Sequence, residues 1–259
     1  MVLDWLVNVH KIEEHPERML LFGFIYSSIA AGVALLIFPR EAGAVMMVLT
    51  IAAFLPIMLN LMKEEEIKDE KEKFLVREHW PALKFFIFLF LGMLLAFTVW
   101  YLLLPQATAN NLFKMQIETI TGRGVEMGAI SGGSSLLSIL ANNMKVLVVG
   151  LFLAFVFGAG AIFILEWNAT LLATLIGGTI RHSFDLGALR YLVHGIPEVI
   201  AYFIAGLAGG VISIAVARHK LGDKEFTHVI KDSLALILVS VALLVVAALT
   251  EVYVSPLIG

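Results

Sequence analysis

The chain has no cysteine among its 259 residues. Neither a disulfide framework nor a thiolate metal site is therefore open to it. Charge is scarce as well: Lys and Arg number 18, Asp and Glu 21, and the net charge is −3. No basic patch carries interleaved aromatics, which speaks against a nucleic-acid partner. The opening residues, MVLDWLVNVHKIEEHPER, lack a basic region, a short apolar core and a small-residue cleavage site, so no cleaved signal peptide is expected. Familiar catalytic signatures are missing too. No serine sits in a nucleophile elbow, no phosphate-binding glycine loop ends in lysine, and HExxH does not occur.

What remains is apolar sequence: 60% of residues are hydrophobic and the mean hydropathy is +0.93. A soluble domain sits nearer half apolar, so the composition points to an all-α, polytopic integral membrane protein with the lipid bilayer as its solvent. A bilayer core takes about 20 apolar residues in helix. Six stretches approach that length: 19–38, 42–62, 85–104, 146–165, 199–217 and 233–250. Ahead of them, residues 1–18 hold Trp5, His10 and His15 and read as an interfacial helix turned by Pro16. Residues 63–81, KEEEIKDEKEKFLVREHWP, form a charged loop whose acids and bases nearly cancel. Its Glu and Lys spacing predicts helical extensions out of the bilayer with a solvated connection between them.

Lys and Arg set the orientation. With the N-terminus in the cytoplasm, 63–84 is cytoplasmic, yet six plain spans would put the basic stretch 218–231 outside. That conflict disappears if NATLLATLIGGTI, 168–180, returns the chain across the membrane as a short broken helix. Twelve of the eighteen basic residues then lie inside. A re-entrant hairpin is the alternative. Glycine-interrupted elements of this kind are tolerated only where protein or water surrounds them, and they often build sites. Residues 105–143 form a non-cytoplasmic segment: 112–120 reads as a surface helix, the TGRGVEMGAISGG stretch as flexible, and 134–143 as a helix approaching the membrane.

The candidate site lies in 191–210, YLVHGIPEVIAYFIAGLAGG. His194 and Glu198 share a helix face if a helix starts near Gly195, with Pro197 tolerated in the first turn. The positive helix end would then favour ionised Glu198. Tyr202, Gly206 and Gly210 continue the stripe, and Gly206, Gly209 and Gly210 offer a close-packing face, within the chain or across a homodimer. His and Glu at this spacing can bond each other or free backbone at a helix break, form a catalytic site or co-ligate a divalent metal such as zinc, or bind a substrate or ion. Glu166 could turn inward to meet them or face water at a helix end. Asn142 and Asn143 read as caps or as donors into the site, Asn168 as a polar residue at the break, and His182 and Asp185 as loop residues that could complete a metal shell.

These residues together resemble a known family. An ANN triplet ahead of a Gly-rich span, a polar break, a short glycine-containing element and then HGIPEVIAYFIAGLAGG is similar to the stage II sporulation protein M family over roughly 140–217. The resemblance implies an all-helical, multi-pass protein of the cell membrane, with Asn142, Asn143, His194, Gly195, Glu198 and Gly206 as the positions that carry over. Family members act with partner proteins of the cell envelope as a membrane anchor during septal peptidoglycan remodelling. Many relatives occur in organisms that neither sporulate nor make peptidoglycan, and the cysteine-free, Lys/Glu-rich composition fits such an archaeal-type relative. Three functions stay open: a scaffold, dimeric through its small-residue faces; a membrane-embedded, metal-dependent, hydrolase-like enzyme; and a small-solute or ion transporter using the broken helix.

Overall fold

Within a bilayer the backbone can bond only to itself, so an apolar run of spanning length folds as helix. The computed structural model describes residues 15–69, 79–127, 135–157, 160–181, 189–220 and 222–257. Among them every regular element is helical. In chain order these are α1 (Arg18–Ile37), α2 (Ala42–Asp69), α3 (Trp80–Leu103), α4 (Gln106–Leu112), α5 (Lys114–Met127), α6 (Ser135–Phe157), α7 (Gly160–Arg181), α8 (Leu189–Arg218) and α9 (Lys224–Leu249). A π-helical turn, Thr250–Val254, and a 3-10 turn, Ser255–Leu257, follow α9. All but α4 and α5 are long and apolar enough to cross a membrane, which makes seven such helices among the described residues. The protein is an all-α polytopic membrane protein.

The short element expected at 168–180 is instead the C-terminal part of α7, an unbroken helix of 22 residues. α6 ends at Phe157 and α7 begins at Gly160, both inside the stretch that hydropathy joins as one span. Two polar insertions cause the difference. Ser135, Ser138, Asn142 and Asn143 dilute the apolar signal over the first half of α6, while Glu166 and Asn168 interrupt it in α7. Both helices are full length once those polar positions are counted inside them. Similarly, α5 runs on to Met127 through Gly122 and Gly124. Glycine costs a helix interior only about 1 kcal/mol relative to alanine, so a helix already nucleated can absorb it. Pro16 and Glu17 do form a turn, with the Met19 N–H donating to the Pro16 carbonyl at 3.0 Å; the interfacial helix expected before it falls in 1–14, outside the described residues.

Close approaches define how the helices run. A Cβ on Gly23 of α1 would come 2.6 Å from the Leu89 carbonyl oxygen of α3, and Gly32 lies against Trp100, so these two helices run parallel. Gly177 of α7 faces the Tyr101 ring of α3, and Gly209 of α8 faces Ala154 of α6. Gly206 packs on Ala161, which sets α8 antiparallel to α7. One end of the bundle therefore gathers the end of α2, the start of α3, the end of α8 and the start of α9. This is the parity that the basic-residue count requires, with 63–69 and 218–224 on one side. At the opposite end Arg181 closes α7 by donating to Gln106 Oε1 at 2.7 Å, to the Leu102 carbonyl at 3.0 Å and to the Leu104 carbonyl, with its guanidinium over the Tyr101 ring.

Candidate functional site

The site is built on α8, which begins at Leu189 rather than near Gly195. Pro197 is thus an interior proline, and the positive helix end lies too far away to act on Glu198. Its local partner is a side chain: the Tyr202 hydroxyl donates to Glu198 Oε1 at 2.8 Å, across one helical turn. Tyr202 is itself fully buried and packs with Leu147, Ile164 and Leu244. His194, also buried, reaches out of α8 to the last turns of the chain. Its Nδ1 shares a hydrogen bond of 3.0 Å with Ser255 Oγ, and its Nε2 lies 3.9 Å from Glu251 Oε2. The π-helical turn carries Glu251, and a single π turn commonly re-aims side chains near sites.

The structure therefore pairs Glu198 with Tyr202, and His194 with Ser255 and Glu251. Sequence reading missed the last two. The available signal was Glu251, an acid closing the last apolar run; seven crossings place that end of the membrane beside His194.

The other candidates lie elsewhere. Glu166 is completely buried, and neither carboxylate oxygen has a hydrogen-bond partner. With Gly206 on Ala161, the antiparallel register sets Glu166 about two turns, or about 10 Å, from the level of His194. Asn168 folds back on its own helix, donating to the Ile164 carbonyl at 2.8 Å. Asn142 and Asn143 sit inside α6 instead of capping it. Asn142 donates to Asn143 Oδ1 at 3.3 Å, and Asn143 Nδ2 is buried without a partner. His182 and Asp185 fall outside the described residues. Among the described residues no three His, Asp or Glu come together as a metal-ligand group. The glycine stripe is filled inside the chain: Gly206 meets Ala161 of α7, Gly209 meets Ala154 of α6, and Gly210 meets the Met62 side chain of α2.

Comparison with known proteins assigns this arrangement. The model of the family described as stage II sporulation protein M matches residues 83–256. The chain belongs to that family. The match runs from α3 through Ser255, so every contact of the His194 site falls within it. An uncharacterized protein of Methanocaldococcus jannaschii is 36% identical over 127 residues, covering 47% of this chain and 71% of that relative. No solved structure matches.

A second polar constellation, at the far end of the bundle, was hidden in the charged loop. Glu65 and Glu66, read as part of a solvated segment, are fully buried. A buried carboxylate is costly unless paired, and each is paired. Glu65 Oε2 lies 2.6 Å from His79 Nδ1, tying the end of α2 to the start of α3. Glu66 accepts from Arg218 and lies 2.5 Å from His219 Nε2, tying α2 to the end of α8. Hydropathy cannot distinguish such residues from solvated neighbours, because burial depends on which helix ends meet. Arg218 and His219 belong to the family-matched region, whereas Glu65 and Glu66 precede it.

Proposed function

We propose that this member of the stage II sporulation protein M family is an integral scaffold of the cell membrane that anchors partner proteins, with its charged Glu65–Arg218 end toward the cytoplasm. One observation carries the reading. The polar side chains most suited to chemistry are used structurally: His194 ties α8 to the last turn of the chain through Ser255, and Glu198 is held within α8 by Tyr202. Together with the buried ion pairs at the other end, these ties suit a rigid platform. A homodimer would have to assemble through outward apolar surface such as Val148, Phe152 and Phe155 of α6, since the glycine stripe is occupied within the chain.

Elemental analysis tests this against the metal-dependent enzyme. Purified wild type, His194→Ala and Glu198→Ala are each expected to carry no stoichiometric divalent metal. One divalent ion per wild-type chain, lost in both variants, would sink the scaffold reading. In-cell cross-linking at native expression is expected to join the protein to other membrane or envelope proteins, and a chain that cross-links to nothing also overturns it.

A further inference from the structure

Glu166 stands about two turns inside a membrane-length helix with both oxygens buried and unbonded. An ionised carboxylate left uncompensated in so apolar a place is prohibitively costly. No Lys or Arg pairs with it among the described residues. The surrounding register supplies three further observations. Gln116 of α5 donates through Nε2 to Thr170 Oγ1 at 3.0 Å and places the same nitrogen 4.0 Å from Met47 Sδ, so it marks where α2 and α7 lie at one level. Those two helices pack antiparallel. Moving one turn toward the charged end leads from Met47 to Thr50 and from Thr170 to Glu166. Thr50 Oγ1 and Gln116 Oε1 are, like the Glu166 oxygens, buried without a hydrogen-bond partner.

The register thus places four unpartnered oxygens, from three helices, at levels within about one helical turn of one another. Buried polar atoms are nearly always satisfied, by ordered water or an ion if not by protein. The donor set is all oxygen, which suits a hard cation. It contains one carboxylate, so a single positive charge leaves the interior neutral, whereas a divalent ion would leave it charged. A proton would neutralise Glu166 but supplies a single O–H donor, which can engage only one of the other oxygens, whereas a cation can be shared by all of them. We propose that Glu166, Gln116 and Thr50 bind a monovalent cation of sodium size between α2, α5 and α7, separate from the His194 site.

The test is thermal unfolding of the full-length protein in detergent, titrated with sodium chloride against choline chloride at equal ionic strength. Wild type is expected to melt progressively higher in sodium than in choline, because a ligand bound only by the folded state stabilises it. Glu166→Gln should abolish the difference. Thr50→Val, which leaves the carboxylate in place, should raise the half-maximal sodium concentration about tenfold, the loss of one charge-assisted contact. Equal responses to sodium and choline in wild type overturn the proposal. So does a sodium response that survives in Glu166→Gln, or a stability that follows pH but not sodium. If Glu166→Gln does not fold, the Thr50→Val titration decides alone: an unchanged sodium midpoint refutes the site.

Discussion

Replacing Gly23 by alanine is expected to destabilise the protein, although alanine is the better helix former. A Cβ at Gly23 would lie 2.6 Å from the Leu89 carbonyl oxygen and 3.2 Å from both Gly92 Cα and Met93 N. Carbon and oxygen are comfortable at about 3.3 Å, so α1 and α3 must part by about 0.7 Å. All three obstructing atoms are backbone and cannot rotate aside. Overpacking of this kind costs roughly 2–3 kcal/mol, and improved helix propensity offsets about 1 kcal/mol, leaving a net loss of about 1–2 kcal/mol. Gly32, on the same helix, is the internal control. Its Cβ would sit 3.7 Å from the Trp100 ring, an ordinary contact, so Gly32→Ala should be neutral or stabilising by up to about 1 kcal/mol. The two alanines should therefore differ by about 1–3 kcal/mol, or roughly 2–12 °C in melting temperature for a chain of this size. Tryptophan fluorescence in a thermal ramp measures both. If Gly23→Ala melts at or above Gly32→Ala, the parallel α1–α3 crossing is wrong.

Two further outcomes follow from the bundle ends. Arg218→Ala strands the fully buried Glu66 with His219 alone and should cost about 2–3 kcal/mol, at the low end for a broken buried pair because Arg218 is itself partly exposed. A double-mutant cycle with Glu66→Gln should return a coupling above about 1 kcal/mol; an additive pair would show that the contact carries no energy. Because the native chain has no cysteine, single-cysteine labelling reads topology cleanly. Lys63→Cys and Lys220→Cys should label from one side of the membrane and Gln106→Cys from the other, and labelling of Lys220→Cys alongside Gln106→Cys would refute seven crossings.

Much of this was legible in the chain. Apolar runs of spanning length mark α1, α2, α3, α8 and α9, and Trp80–Pro81 marks the start of α3. The basic residues favoured an odd number of crossings, with a re-entrant hairpin as the alternative, and seven membrane-length helices among the described residues fit the odd count. The Glu198–Tyr202 pair could be read directly, since residues four apart on a helix are neighbours whatever surrounds them. By contrast, the division between α6 and α7 was misplaced because a window average cannot tell a polar residue inside a helix from one that ends it.

Sequence by itself determined the class of protein, the helical stripe on α8 and the family to which it belongs. These rest on composition and on local periodicity, which the chain carries without reference to distant parts of itself. Only the tertiary structure decided that the three glycines of the stripe serve three different neighbouring helices, that Glu65 and Glu66 are buried with His79, Arg218 and His219, that His194 meets Ser255, and that Glu166 stands unpartnered. Each of those depends on contacts between residues far apart in the chain, and burial and pairing exist only once helix ends and faces have been brought together.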